Sequence, residues 1–239
     1  MTRNTPSQVT AFDRKNLSLH AHVPASSRVF DDLRNRIAAL ELPPGTTLSR
    51  IELAERYGVS QSPVREAILR LEQLGVVVSY RQSRTEVTKI DPASVREEHF
   101  LRTALECEVA NFLAEKETLP TFIKAKGFIK IQEALVDDIS QIELFNQMDQ
   151  AFHRELFVAA NQVALHELVV ERSVNMSRLR MLDLPRNGKM KSVLDAHKAV
   201  IKAIESGNGA DAAKAMRDHL SGTIDRMPEI IQENEQYFL

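Results

Sequence analysis

The sequence contains no tryptophan, a single cysteine and only 8 glycines among its 239 residues. So few glycines disfavour glycine-rich nucleotide loops and the many tight turns of sandwiches and barrels. The lone Cys107 cannot form an internal disulfide, which predicts a reducing cytoplasm as the location. No apolar run approaches the roughly 20 residues of a membrane-spanning helix, and residues 1–20 lack the apolar core of a signal peptide. We therefore expect a cytoplasmic protein without a membrane partner.

Charge is distributed unevenly along the chain, although the formal net charge is only −2. Residues 1–92 hold 13 lysines and arginines against 10 acidic residues, whereas the remainder holds 18 against 23. A basic front part and an acidic back part suggest two modules with different partners.

The front part follows the pattern of a small helical domain. Residues 1–24 are polar and aperiodic, which predicts a flexible tail. Residues 25–91 show three helical patterns and then a hairpin at 76–90, where β-branched residues flank a polar tip. Ser49 can cap the second helix, and Ser60 begins the third. This order of elements is that of a winged helix-turn-helix domain with a β-hairpin wing.

The third helix lies in the segment VSQSPVREAILRLEQLG, residues 59–75, and begins with short polar side chains. A helix that enters the major groove needs such a start, because its free N–H groups and its dipole face the phosphates there. Its other face must be apolar to pack on the supporting helices. A lone amphipathic helix would be interpreted as a surface helix with solvated arginines. The ordered set of helices and the positive charge favour DNA instead.

The segment LRNRIAALELPPGTTLSRIELAERYGVSQSPVREAILRLEQLGVV resembles the DNA-binding domain of GntR-type bacterial transcription regulators. It matches Leu-Arg in the first helix, Pro-Gly before the second, Leu-Ala within it, and then Ser-x-x-Pro-Val-Arg-Glu-Ala. The family usually has glycine at the wing tip, where this chain has Gln-Ser-Arg. The resemblance implies that seven residues contact double-stranded operator DNA. They are Arg50, Ser60, Gln61, Ser62, Arg65, Arg81 and Gln82.

The back part is helical throughout. Asp91 is a plausible N-cap and Pro92 a first-turn residue, and every segment from there to about residue 233 is helix-like. Short connections make an antiparallel six-helix bundle the expected arrangement of residues 92–239. The predicted helices are 92–116, 118–138, 141–160, 162–184, 188–206 and 209–232.

Three histidines and one aspartate of the back part are expected to converge. Asp149 and His153 are four residues apart and share a helix face. His197 and His219 each lie 11 residues from Asn208, so antiparallel packing puts them at the same height. Such a set suits Zn²⁺, Ni²⁺ or Mn²⁺. The alternatives are packed or surface histidines and a helix-stabilising Asp–His pair.

The segments LRTALECEVANFLA, DQAFHRELFVAANQ and DAHKAVIKAIESGNGADAAKAMRDHL resemble the effector-binding domain of FadR-type GntR regulators, the FCD domain. The resemblance implies that the four residues just named ligate a divalent metal ion. It also implies that Arg102 meets the carboxylate of a small organic acid, a role that suits the planar guanidinium. The alternative for Arg102 is a salt bridge to Glu98 or Glu106, each one helical turn away.

Two classes of function follow. The first is a ligand-responsive transcription regulator that binds a short palindromic operator as a homodimer, with residues 92–239 as effector, metal and dimerisation domain. The second is a metal-dependent enzyme built on the bundle, since a metal with an open coordination position can activate water. No obvious general base stands beside the four residues, and an enzyme would not need the front module. We therefore predict the ligand-responsive regulator. A third possibility is a binding protein with a purely structural metal and no response to a small molecule.

Overall fold

The computed structural model describes residues 23–81, 84–118 and 120–239, and it is mostly helical, as predicted. The predicted tail thus lies outside the described residues up to position 22, as does Gln82. The described strands are β1 (Thr47–Leu48), β2 (Val77–Ser79) and β3 (Thr85–Val87). The described α-helices are α1 (Ala25–Ala38), α2 (Arg50–Tyr57), α3 (Gln61–Gln73), α4 (Pro92–Ala114), α5 (Ile123–Leu135), α6 (Ile142–Ala159), α7 (Val163–Arg172), α8 (Val174–Asp183), α9 (Lys189–Glu205), α10 (Gly209–Ile224) and α11 (Met227–Glu233).

Helices α1 to α3 share a small apolar core in which Phe30, Leu33 and Leu71 are fully buried. Burying each such side chain stabilises the fold by about 1.5–3 kcal/mol. The hydroxyl of Ser49 accepts a hydrogen bond from the backbone N–H of Glu52 at the start of α2. At the other end of α2, Gly58 takes the left-handed conformation, which reverses the chain into α3. The core and these caps hold α3 with its first turn directed outward.

The wing contains one strand more than the sequence predicts. Strands β2 and β3 form the expected antiparallel hairpin, and β1 pairs with the other edge of β3, in the order β1-β3-β2. The pairing of Thr47 with Glu86 and the bond from the Gly45 N–H to the Val87 carbonyl hold β1 in place. A two-residue strand is too short to leave a pattern in the sequence. It forms because the β3 edge offers hydrogen-bonding groups that must be satisfied.

Residues 92–239 form a bundle around the long helix α4. The carboxylate of Asp91 accepts hydrogen bonds from the N–H groups of Ala93 and Ser94, as expected for its N-cap position. Helix α4 packs against α6, α9 and α10, and its middle is buried on several sides. No helix in the described part of the chain is long and apolar enough to cross a membrane.

The described part of this region has eight α-helices where the sequence predicts six. The predicted helix 162–184 ends at Arg172 and restarts after Ser173, and the predicted helix 209–232 breaks at Asp225 and Arg226. The second break has a local cause, because Pro228 in the first turn of α11 lacks the N–H that a continuous helix requires. The first has no such cause, and the N-terminus of α8 is instead held by contacts from α4.

Candidate DNA interface and metal centre

The first turn of α3 and the wing present the side chains that the sequence predicts as DNA contacts. Ser60 precedes α3 in an extended conformation, and its hydroxyl does not cap the helix, so it stays available to a ligand. Among the described residues, no ion pair or hydrogen bond engages the side chains of Arg50, Arg65 or Arg81. All six predicted residues that the structure describes are exposed. They are Arg50, Ser60, Gln61, Ser62, Arg65 and Arg81.

One arginine near the wing tip is already paired. Arg84, three residues after Arg81, forms an ion pair with Glu86, and the Nε–Oε2 distance is 2.5 Å. Its guanidinium also lies 4.9 Å from the centroid of the Tyr80 ring. Arg81 therefore carries the uncommitted positive charge in the described part of the wing tip.

Helices α6, α9 and α10 bring Asp149, His153, His197 and His219 together. One potential ligand atom from each of the four lies within 4.8 Å of the others. The hairpin between α9 and α10 sets the height of the two later histidines. There Gly207 is left-handed, and the Asn208 side chain caps α10 by accepting from the Asp211 N–H. His197 and His219, which lie equally far from Asn208 in the sequence, are thus brought to the same height by this turn.

The ligand atoms face one another in the interior of the bundle. His197 Nε2 lies 3.4 Å from Asp149 Oδ1, and His153 Nε2 lies 3.9 Å from Asp149 Oδ2. His153 Nε2 and His219 Nε2 are 3.1 Å apart. Asp149 and His197 are completely buried, His153 is 3% exposed, and His219 is partly exposed. Three imidazole nitrogens and one carboxylate thus point at a common position.

Two residues orient the histidine rings from behind. Gln132 Oε1 lies 2.8 Å from His197 Nδ1, and Glu106 Oε2 lies 2.5 Å from His153 Nδ1. Because the amide oxygen of Gln132 can only accept here, His197 Nδ1 carries the hydrogen and its Nε2 is left to a ligand. The carboxylate of Glu106 faces His153 Nδ1 as a short ion-pair contact. Sequence reasoning missed Gln132 and saw Glu106 only as a partner for Arg102. The sequence does mark Gln132 in one way. It is a polar residue at helical spacing from Ala125 and Ile129, so it lies on the buried face of α5.

The donor set fits a divalent cation. Within the described structure, His197 Nε2 and Asp149 Oδ1 are buried and have no hydrogen-bond partner. Leaving such atoms unsatisfied costs about 1–3 kcal/mol each. A cation among these nitrogens and the carboxylate would satisfy both atoms at once. Nitrogen ligands with one carboxylate are the set that zinc and its neighbours prefer.

His197, His219 and Asp149 are in the protonation states that metal ligation requires. Burial lowers the pKa of His197 to about 4, although Asp149 opposes the shift. Burial also holds the pKa of His219 well below its ordinary value, and His197 and His153 add to the effect. Burial alone would raise the pKa of Asp149, but Arg180 and the histidines outweigh it and hold that pKa well below the ordinary value. At neutral pH, His197 and His219 are therefore neutral and the aspartate is charged.

Three cationic side chains surround a small cavity beside the site. Its volume is about 20 Å³, and its wall includes Arg102, Arg180, Lys189 and His219. Arg102 is buried and paired with Glu106, so the salt bridge considered from the sequence is present. Burial would raise the pKa of Glu106, but the charges of Arg102 and His153 lower it to about 2. Arg102 also borders the cavity, so the pair and a ligand contact are compatible.

Arg180 and Lys189 are cavity residues that sequence reasoning missed. Arg180 Nη2 lies 2.6 Å from Asp149 Oδ2, and Lys189 Nζ lies 2.9 Å from Asp183 Oδ2. Neither residue has a distinguishing sequence context, because arginine and lysine are common on helices. Only the packing of α8 and α9 shows that they reach the site.

Both the front and the back part of the chain match known protein families. Residues 25–87 match the family described as bacterial regulatory proteins, gntR family, and residues 98–222 match the FCD domain. The chain is 27% identical over 215 residues to the HTH-type transcriptional repressor RspR of Escherichia coli K12, covering 90% of this chain and 94% of that protein. It is 30% identical over 214 residues to an HTH-type transcriptional regulator from an unstable DNA locus of Streptomyces ambofaciens, covering 88% of each.

The solved structure of E. coli McbR/YncC has the same fold, with a TM-score of 0.65 at 18% identity over 88% of this chain and 99% of that one. The matched families and relatives are transcription regulators rather than enzymes, which confirms the prediction of a regulator. The chain therefore belongs to the GntR family of bacterial transcription regulators and carries an FCD effector domain.

Proposed function

We propose that this regulator binds one divalent metal ion, Zn²⁺, Ni²⁺ or Mn²⁺, through Asp149, His153, His197 and His219. The observation that carries the proposal is the pair of buried, unpartnered ligand atoms, His197 Nε2 and Asp149 Oδ1, aimed at one position. When bound, the metal supplies a Lewis acid with positions open to an anionic oxygen ligand. The domain boundaries that we propose are 25–91 for DNA binding and 92–239 for effector and metal binding and for dimerisation.

The charge of the site supports a small carboxylate as the effector. Arg102, Arg180 and Lys189 carry three positive charges, and their partners Glu106, Asp149 and Asp183 carry three negative ones. The neutral His197 and His219 add none. A divalent cation would leave this buried region with an uncompensated charge of about +2, which is costly in a low dielectric. An anion bound there would remove that cost. Arg102 borders the cavity and is the residue that we assign to the effector carboxylate.

Operator binding is assigned to the first turn of α3, its neighbour Arg50 and the wing. The exposed residues Ser60, Gln61, Ser62 and Arg65 form the surface that would enter the major groove, and Arg81 and Gln82 would contact the backbone or the minor groove. The name of the E. coli relative contains the word repressor, which supports repression as the mode of action.

Binding to a palindromic operator requires a dimer of this chain. Two half-sites about 34 Å apart need two recognition helices, and one chain supplies only one. We expect a species of about 54 kDa in light scattering, twice the 27.0 kDa of one chain. A monomer that still bound a palindromic site tightly would contradict this.

The metal proposal is tested on protein purified without a chelator or an affinity tag. We expect one equivalent of metal by elemental analysis, thermal stabilisation when Zn²⁺, Ni²⁺ or Mn²⁺ is added after chelation, and loss of both in His197→Ala. The matched control is His99→Ala, because His99 lies on α4 and contacts Thr103 rather than the cluster. Absence of metal, together with no stabilisation by any of the three ions, would reduce the four residues to a polar cavity lining.

The response to an effector is a separate measurement. DNA recovered by selection from a random pool serves as the operator probe, and its affinity is measured for metal-free and metal-loaded protein with a panel of small carboxylic acids. An acid that changes affinity in the unmodified protein should have no effect in Arg102→Gln. If no acid changes the affinity, the metal has a structural role only.

A further inference from the structure

Helix α8 lies between the candidate metal centre and the DNA-binding domain, and two of its arginines point to opposite sides. Arg178 and Arg180 are two positions apart, which is about 200° around a helix axis. Arg180 forms an ion pair with Asp149, one of the proposed metal ligands. Arg178 donates a hydrogen bond of 2.5 Å from Nη2 to the backbone carbonyl of Thr88. Thr88 directly follows β3. The contact therefore joins α8 to the DNA-binding domain at the point where that domain is connected to the bundle.

The Arg178 side chain is buried, although its contact with Thr88 is only partly so. Arg178 is completely buried, and its Nη1 also donates to Asn175 Oδ1 at 3.1 Å. Burial lowers the pKa of Arg178 to about 10, with Glu98 opposing the shift. A buried guanidinium is expensive and is tolerated only where its partners are fixed. The contact with Thr88 is therefore sensitive to any movement of α8.

The start of α8 is also part of the DNA-binding domain's packing. Val174 belongs to the same buried cluster as Phe30 and Leu33 of α1. Glu98 of α4 accepts from the Met176 N–H at 2.7 Å and from Asn175 Nδ2 at 2.9 Å, in place of a side-chain cap from Ser173. A carboxylate at this end suits the helix dipole.

The far end of α8 is held just as firmly. Asp183 accepts hydrogen bonds from Thr223 and Arg226 and pairs with Lys189. Because tight contacts hold both ends of α8, we expect this short helix to move as one rigid element rather than to bend.

The site itself would displace this helix. Its cavity of about 20 Å³ is bounded on one side by Met176 and Arg180 of α8. A cavity of this size holds about one water molecule, so a carboxylate ligand needs its wall to move. A metal on Asp149 would likewise compete with Arg180 for the carboxylate. Occupancy of the site therefore acts on α8 through Arg180.

We propose that α8 is the element that transmits occupancy of the site to the DNA-binding domain, with Arg180 as its sensing residue and Arg178 as its positioning residue at Thr88. The inference rests on the proposed metal site. Two domain arrangements that differ in the Arg178–Thr88 contact would differ in the spacing of the recognition helices in a dimer, and hence in operator affinity.

The test is hydrogen–deuterium exchange on the full chain, with Zn²⁺ alone added to chelator-treated protein. In the unmodified protein, we expect Zn²⁺ to slow exchange in peptides of α6 and α9 and to change exchange in α1 and in the segment 86–90. In Arg178→Met the slowing at α6 and α9 should persist, and the change at α1 and 86–90 should be lost. Arg172→Met, at an exposed arginine ending α7, is the matched control and should behave like the unmodified protein.

Arg178→Lys covers the case in which the methionine variant fails to fold. It keeps the buried charge but cannot reach Asn175 and Thr88 together in the same way, so the change at α1 should be reduced. A change at α1 that persists in a folded Arg178 variant would overturn the proposal. So would unaltered exchange at α1 in the unmodified protein while α6 and α9 are protected. If Zn²⁺ protects neither α6 nor α9, the metal site fails as well, and the protection data alone distinguish that failure.

Discussion

Gln132 holds His197 in one tautomer, with its Oε1 2.8 Å from Nδ1 of the histidine. The amide is itself fixed, because Gln132 Nε2 donates to the Phe145 carbonyl at 3.4 Å and Oε1 must then face the ring. His197 consequently presents Nε2 to Asp149 and to the centre of the cluster. A residue that sequence reasoning missed thus decides which nitrogen of a predicted ligand is available.

The first prediction concerns this outer contact. Gln132→Leu should lower the affinity for Zn²⁺ by about 10- to 100-fold, as loss of a ligand's hydrogen-bond partner does elsewhere. Calorimetric titration of metal-free protein measures it, and Gln147→Leu on the exposed face of α6 is the control. Equal affinity in the two variants would show that His197 needs no orienting partner.

The second prediction concerns pH. The pKa of His197 is lowered to about 4, whereas a histidine in the unfolded chain titrates near 6.5. Between these values the unfolded chain binds a proton that the folded protein does not, so the metal-free protein loses stability as pH falls from about 6.5 to about 4. His197→Gln should reduce this slope by up to about 1.4 kcal/mol per pH unit in urea unfolding. An unchanged slope would mean that His197 titrates normally in the folded protein.

The third prediction concerns Glu98, which acts in the opposite sense. Burial raises its pKa to about 7, although bonds from Met176 and Asn175 oppose the shift. The folded protein therefore keeps a proton that the unfolded chain releases, and Glu98 costs stability as pH rises from about 4.5 to 7. Glu98→Gln removes this loss. Its free energy of unfolding, relative to that of the unmodified protein, should therefore rise by on the order of 3 kcal/mol between pH 4.5 and pH 7. Exposed Glu97→Gln should show no such gain.

The fourth prediction concerns DNA. Arg65→Ala should weaken binding to selected operator DNA by about 1–3 kcal/mol if Arg65 contacts a base edge. If it contacts only phosphate, binding to random DNA should weaken equally and the salt dependence should fall by about one charge. Arg217→Ala, at an exposed position on α10, should leave both affinities unchanged. Unchanged affinity for both DNAs in folded Arg65→Ala would remove the residue from the interface.

Local chemistry explains the elements that the sequence predicts well. Ser49, Gly58 and Asp91 act as caps because each uses its own side chain or its own backbone freedom within a few residues. The predicted antiparallel placement of His197 and His219 also follows from a single short turn. By contrast, β1 exists only because β3 lies beside it, and the break before α8 is stabilised by Glu98, which lies 75 residues before Ser173 in the chain.

The sequence by itself determined the class of the protein, most of its helices and the four converging residues, since periodicity, caps and motif spacing are local properties of the chain. The tertiary structure decided what surrounds them. Glu106, Gln132 and Arg180 reach the site from α4, α5 and α8, and Arg178 reaches Thr88 across the domain boundary. Such contacts depend on how helices pack face to face, and packing angles and side-chain reach are set by the whole core rather than by any segment of the chain.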